Sequence, residues 1–320
     1  MLRMRKYVLM VMVTILVVSV FTGCTSKTDA TGDTASTEKE VLKIGFMNTN
    51  LSNEYQVAML EAARESATEL GIELIEYDGQ GDASKQITQM EQLIAQQVDA
   101  IVMAPYDKDA TAPAVIKAKE ANIPLIIVNS TVINMDEATA FVGSDDTISG
   151  SMAMEKMAEE IEYKGDIMMI RGPIGNSAEV GRTKGITKTL EKYPDIQIVV
   201  DEPADWDRQK AMRLVENKIQ SGLDLAGIVA QNDEMALGAL LAVSASGKLD
   251  TIKIIGIDAI PDALTAVENG EMIATVFQDA KAQASTALEV AVKAANGKDV
   301  ESKYMVQFKL VTQENISDFK

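Results

Sequence analysis

The chain contains no histidine and one cysteine in 320 residues. Without histidine there is no imidazole base and no triad built on one, and a single thiol makes neither a cysteine-rich zinc site nor a disulfide framework. Stability therefore rests on the apolar core alone. Aromatic residues make up only 4 % of the chain, with one tryptophan, Trp206. Positive charge is also scarce: 30 Lys and Arg stand against 48 Asp and Glu, a formal net charge of −18. So acidic a surface repels nucleic acid, which is not an expected partner. Apart from one N-terminal run there is no apolar stretch of membrane-spanning length.

That run, Tyr7 to Phe21, follows Arg3, Arg5 and Lys6 and precedes the small pair Thr22-Gly23 and then Cys24. A basic head, an apolar stretch and small residues beside a cut are the layout of a secretory signal peptide, here residues 1–23. A cysteine directly after the cut resembles the bacterial lipoprotein signal, which implies that Cys24 carries a lipid and tethers the mature chain to the membrane. An uncleaved anchor is the alternative, since the run is near the minimum spanning length. Cleavage removes three positive charges and no negative ones, so the mature net charge becomes −21.

Residues 24–40 are small and polar, with nothing to bury, and read as a flexible linker. From Val41 short apolar runs alternate with amphipathic segments, the signature of βα units around parallel sheets. Ten strands are expected, at 42–47, 73–77, 100–104, 125–128, 141–143, 166–171, 196–200, 227–230, 253–257 and 272–276. Between the first two, Val57, Leu60, Ala63, Ala67 and Leu70 fall on one helical face that stops at Gly71. The methionines in such faces read as packing residues. The mature length suits two lobes.

Polar residues gather at the C-terminal ends of the expected strands: Asn50, Asn53 and Tyr55, then Asn129-Ser130, Gln231-Asn232-Asp233, Asp258 and Gln278. In open α/β sheets ligands bind in the crevice outside these ends. Each residue singly has a simpler reading, because Asn and Asp are also preferred helix N-caps. So many in one register is harder to attribute to capping alone.

The segments Val229-Ala-Gln-Asn-Asp-Glu-Met-Ala-Leu-Gly-Ala239, Pro203-Ala-Asp-Trp-Asp-Arg208, Ile255-Gly-Ile-Asp258 and Ala274-Thr-Val-Phe-Gln278 closely resemble the bacterial ribose- and galactose-type periplasmic sugar-binding proteins. The resemblance covers Val41 to Val311. It implies an α/β type I periplasmic-binding-protein fold of two Rossmann-like lobes with a sugar held between them. The lobes would comprise residues 41–143 with 279–307 and residues 144–278 with 308–320. Three hinge crossings are expected near Gly143-Ser144, Gln278-Asp279 and Phe308. Related repressors carry a helix-turn-helix at the N-terminus, where this chain has its signal and linker.

Position by position, the resemblance implies ligand contacts at Asn53, Tyr55, Asn129, Arg182, Trp206, Asn232, Asp258 and Gln278. Their chemistry suits a polyol: amides can donate or accept, Asp258 accepts, Arg182 donates in a planar fork, and an aromatic ring packs on C–H faces. Charged neighbours Asp205, Asp207 and Arg208 favour a loop with the Trp206 indole turned into the cleft. Substitution of Trp206 or Arg182 by alanine is expected to weaken binding and leave the fold intact. Ribose binders of the family have an acidic residue followed by arginine where this chain has Asn129-Ser130, and often an aromatic where it has Gln56. These departures argue against D-ribose and leave a pyranose hexose, a pentose or a cyclic polyol. Glucose and galactose binders hold calcium, but no loop here has the required Asp spacing, and neither metal nor cofactor is expected.

The resemblance further implies a monomeric, lipid-anchored binding protein that docks on the permease of a sugar ABC importer. A sensory protein signalling to a membrane receptor or histidine kinase would use the same cleft. An enzyme is the weakest alternative. Glu54, Asp107, Asp145 and Asp258 could form a glycosidase carboxylate pair, but acids at such sites commonly cap helices or accept from hydroxyls.

Overall fold

The computed structural model describes residues 41–320. The expected signal peptide, Cys24 and the linker lie outside the described residues. The chain begins with β1 (Lys43–Asn48), α1 (Glu54–Leu70), β2 (Glu73–Asp78), α2 (Ala83–Ala95), β3 (Ala100–Met103), α3 (Ala112–Glu120), β4 (Leu125–Asn129) and β5 (Ala140–Gly143). It continues with α4 (Asp146–Glu160), β6 (Gly165–Arg171), α5 (Ser177–Leu190), β7 (Ile196–Pro203), α6 (Arg208–Gln220) and β8 (Gly227–Ala230). Then come α7 (Asp233–Ala245), β9 (Lys253–Asp258), α8 (Pro261–Glu268), β10 (Ala274–Phe277), α9 (Ala280–Ala295), β11 (Lys303–Met305) and β12 (Lys309–Val311).

Two six-stranded sheets result, ordered β11-β5-β4-β3-β1-β2 and β12-β10-β9-β8-β6-β7. All pairings are parallel except β12 against β10. Inner strands such as Ala-Ile-Val-Met in β3, Leu-Ile-Ile-Val-Asn in β4 and Gly-Ile-Val-Ala in β8 are buried at every residue. Helices on both faces demand such unbroken apolar runs. These are the two α/β lobes expected of a type I periplasmic binding protein.

The chain passes between the sheets three times: from β5 to α4, from β10 to α9, which packs on α1 and β4, and from β11 to β12. The carboxyl ends of β1, β4, β8, β9 and β10 therefore supply residues to one interlobe cleft. All ten expected strands form. The last starts at Ala274 rather than residue 272, because the Met272 N–H bonds to the Ala266 carbonyl of α8 instead of to a neighbouring strand.

One helical face differs from expectation. Leu70 is exposed, and the buried stripe of α1 is Tyr55, Gln56, Met59, Leu60, Ala62, Ala63, Ser66 and Ala67. The helix ends one residue later, where Gly71 takes φ 66° and its N–H bonds back to Ala67 and Thr68. Ala67 in the same last turn stays buried, so Leu70 falls just outside the buried stripe.

Candidate functional site

The interlobe cleft encloses about 610 Å³, inside the range of about 300–1,000 Å³ usual for small-molecule sites. All eight sequence-predicted contacts line it, joined by Thr49, Gln56, Tyr106, Ser130, Asn176 and Glu234.

From the first lobe, Asn53 precedes α1 and its Oδ1 accepts from the Gln56 N–H at 3.2 Å. The cap occupies the carbonyl oxygen and leaves the amide NH₂ for the cleft. Asn232 repeats this ahead of α7, accepting from Met235 at 3.0 Å. Both residues are thus cap and cleft wall together. Asn129 stands at φ 66°, an unfavourable conformation for a residue with a Cβ. Its Nδ2 donates to Gln283 Oε1 at 3.3 Å and lies 3.5 Å from the Tyr55 hydroxyl. Gln283, fully buried on α9, also donates to Ser144 Oγ at 3.2 Å, linking Asn129 to the first crossing.

The floor of the second lobe is organised by Arg182. Its Nε donates to Asp146 Oδ1 at 2.9 Å, Nη2 donates to Gln278 Oε1 at 2.9 Å, and Nη1 donates to the Gln231 carbonyl. Asp258 Oδ1 lies 3.9 Å from Nη1. Fixing the Gln278 carbonyl oxygen on Arg182 leaves Gln278 Nε2 buried with no partner, and Gln56 Oε1 is in the same condition on the opposite lobe. Both belong to residues that line the cavity. A polar atom buried without a partner is costly.

Electrostatically the floor is overloaded with carboxylate. Burial raises the pKa of Asp146, which the Arg182 guanidinium opposes. Burial also pushes Asp258 well above the usual carboxylate range, with Arg182 opposing and Asp233 adding to the rise. The Tyr55 hydroxyl is likewise held well above its ordinary value, first by burial and then by the Asp258 charge. One guanidinium thus stands among several buried acids, with its donors already bound to Asp146, Gln278 and the Gln231 carbonyl.

Trp206 stands at φ 63° after Asp205 at φ 55°, a paired left-handed turn that carries the indole to the cleft wall. Its ring rests on Gly172, where a Cβ would fall inside the indole. The Arg182 guanidinium lies 5.5 Å from the ring centroid, within cation–π range.

The mouth is bridged between lobes. Asn176 Nδ2 donates to the Tyr106 carbonyl at 2.8 Å, the Lys108 N–H to Gly175 at 3.0 Å, and the Thr131 N–H to Ser177 Oγ at 2.7 Å. Arg208 binds Glu234 at 2.7 Å and Asp262 at 2.9 Å, and lies 3.8 Å from Glu54 of the other lobe. Of the carboxylates weighed as catalytic, Asp107 and Asp145 accept from the backbone N–H groups that follow them, and Glu54 sits in this bridge. None of these three presents a free acid to the cleft. Among the described residues no cluster of acids, cysteine or histidine is fit to hold a metal.

The sequence reading missed the supports Asp146, Gln231 and Gln283, and the bridging group Arg208. Only Gln231 gave a signal, through its place at a strand end.

Residues 44–299 match the periplasmic binding protein domain. This chain belongs to the periplasmic binding protein family. Its curated relatives include a xylitol-binding protein of Mycolicibacterium smegmatis, 39 % identical over 246 residues that are 77 % of this chain and 70 % of that protein. The ribose import binding protein of Escherichia coli is 30 % identical over 271 residues, 85 % and 90 % of the two chains. Among solved structures, an ABC transporter solute-binding protein of Bacillus halodurans with bound myo-inositol is 42 % identical, with a TM-score of 0.84. The match covers 87 % of this chain and 96 % of that one. A family of extracytoplasmic solute-binding proteins, rather than enzymes, accounts for a cleft with recognition groups on both walls.

Proposed function

We propose that this periplasmic binding protein is tethered outside the cytoplasmic membrane by a lipid on Cys24, closes over a neutral polyol, and delivers it to the permease of an ABC importer. The eight residues Asn53, Tyr55, Asn129, Arg182, Trp206, Asn232, Asp258 and Gln278 are its ligand contacts. The lobes move about the three crossings, with residues 41–143 and 279–307 as one body and residues 144–278 and 308–320 as the other. It acts as a monomer.

The observation that carries this reading is the pairing inside the cleft. Arg182 already donates to Asp146, Gln278 and the Gln231 carbonyl, and the cleft around it is lined largely by amides and hydroxyls, among them Asn53, Tyr55, Asn129, Ser130, Asn176 and Asn232. Groups of this kind match hydroxyls, not phosphate or carboxylate.

Within the polyols, a cyclitol of the inositol type is favoured over D-ribose. Two relatives support this choice: the Bacillus halodurans protein at 42 % identity and a Caulobacter myo-inositol binding protein at 30 %, both with myo-inositol bound. Where ribose binders carry a charged pair and an aromatic, Asn129-Ser130 and Gln56 offer amides and a hydroxyl. A ring with a hydroxyl on every carbon uses such groups on all sides. The test is titration of the purified protein with myo-inositol, scyllo-inositol, D-ribose and a sugar phosphate. An inositol should bind tightest and the phosphate not at all; tight binding of the phosphate would contradict the assignment. For the anchor, mass spectrometry of the membrane fraction should find acyl chains on Cys24, lost in Cys24→Ala.

A further inference from the structure

Asp233 is fully buried, directly follows the cleft residue Asn232, and is not among the residues that line the cavity. Its two oxygens reach across to neighbouring strands. Oδ1 accepts from the Thr275 hydroxyl at 2.7 Å, and Oδ2 accepts from the Ile260 N–H at 3.1 Å. Thr275 Oγ1 in turn accepts from the Ala259 N–H at 3.2 Å. Both backbone amides that follow Asp258 are therefore held, one directly and one through Thr275.

What they hold is strained. Asp258 stands at φ 133° and Ala259 at φ 60°, conformations that residues with a Cβ rarely adopt. Such strain persists only where the surroundings over-determine it. The strand beneath is cut to fit, since a Cβ at Gly256 would overlap Asp233 Oδ1. On the far side the Gln278 N–H donates to the Asp258 carbonyl at 3.2 Å. Three strand ends that supply Asn232, Asp258 and Gln278 to the cleft thus meet around one carboxylate. That carboxylate is costly where it is: burial pushes its pKa up to about 7, against the hydrogen bonds from Thr275 and the backbone. A favourable charge at the start of α7 would require neither the Thr275 bond nor a glycine at position 256.

We propose that Asp233 is a positioning residue that pins the strained Asp258-Ala259 turn and so aims the Asp258 carboxylate into the cleft. It acts on the ligand only through Asp258. The inference rests on the reading of Asp258 as a ligand contact.

The test is a double-mutant cycle read by calorimetric titration at about pH 8, where Asp233 is ionised and accepts through both oxygens. Myo-inositol, xylitol, D-ribose and D-allose are titrated into the purified protein, and the tightest serves as probe. Asp258→Asn weakens binding about tenfold or more, and Asp233→Asn weakens it about tenfold alone but less than about twofold when Asp258 is already Asn. Thr275→Val follows Asp233→Asn, and Thr275→Ser, which keeps the hydroxyl, restores affinity. The Thr275 pair carries the test if Asp233→Asn does not fold. Equal losses from Asp233→Asn in both backgrounds, unchanged affinity in Asp233→Asn, or equal losses in Thr275→Ser and Thr275→Val would overturn the inference. Wild-type binding by Asp258→Asn, or no binding of any probe, would instead overturn the cleft assignment on which it stands.

Discussion

Arg182 and Trp206 both line the cleft, and as proposed ligand contacts they should respond differently to removal. The Trp206 ring rests on Gly172 at the cleft wall and against the edge of the core and is only partly buried, so its loss should remove a proposed ligand surface at less cost to the core than loss of a fully buried side chain. Trp206→Ala should weaken binding about tenfold or more, a cost of at least about 1.4 kcal/mol, with a smaller fall in thermal midpoint than Arg182→Ala. Gly172→Ala should act on the same ring from behind, reducing affinity and shifting the emission of the lone tryptophan. Unchanged emission in that variant would mean that the indole does not rest there. Arg182 is 4 % exposed and lies between Asp146 and Asp258. The expectation that Arg182→Ala leaves the fold intact therefore does not follow from its surroundings. Stranding buried carboxylates typically costs about 3–5 kcal/mol, so the thermal midpoint should fall along with the affinity. A variant that bound poorly but melted like the wild type would contradict the pairing.

At the scale of elements, the strands were legible because parallel, doubly covered strands must be continuous apolar runs. The three-residue strands β11 and β12 were not, since Lys303-Tyr-Met and Lys309-Leu-Val are too short and too exposed to form such a run. At Asn53 and Asn232 the cap is observed and both residues also line the cleft, so the amide oxygen that holds the helix leaves the NH₂ group for the proposed contact. Serine in place of Asn53 can still cap but lacks the amide, whereas alanine can do neither. Asn53→Ser should keep the thermal midpoint and weaken binding; Asn53→Ala should also lose about 1 kcal/mol of stability. Equal midpoints in the two variants would rule out the cap. The supports Asp146 and Gln283 were illegible for a different reason. Gln283 meets Asn129 only after the chain has crossed to the second lobe and back, and Asp146 meets Arg182 only where α4 packs on α5, 36 residues apart in sequence, so neither spacing nor periodicity marks them.

At the scale of the molecule, the buried acids make stability depend on pH in an unusual direction. Asp233 has its folded pKa raised to about 7, while an unfolded Asp titrates near about 3.9. Between these values the native state keeps a proton that the unfolded chain has released. The contribution is therefore fully present below the unfolded pKa and is lost as pH rises through the folded one. Asp146 and Asp258, also raised by burial, act in the same sense. The unliganded protein should melt at a lower temperature as pH rises from about 5 to about 8, and Asp233→Asn should flatten that slope. A midpoint that climbs over the same interval would contradict the burial of these groups. The bridge across the mouth, with Arg208 between Glu234 and Glu54, belongs to this scale too, because it exists only while the lobes are together.

The central claim is that the cleft binds a neutral polyol, and fluorescence titration of Trp206 addresses it most directly. The chain has one tryptophan, at the cleft wall, so ligand entry is read without a label. The account predicts a saturable change with an inositol or a related polyol, and none with sugar phosphates. A flat response to every neutral polyol, accompanied by saturation with an anionic ligand, would contradict it.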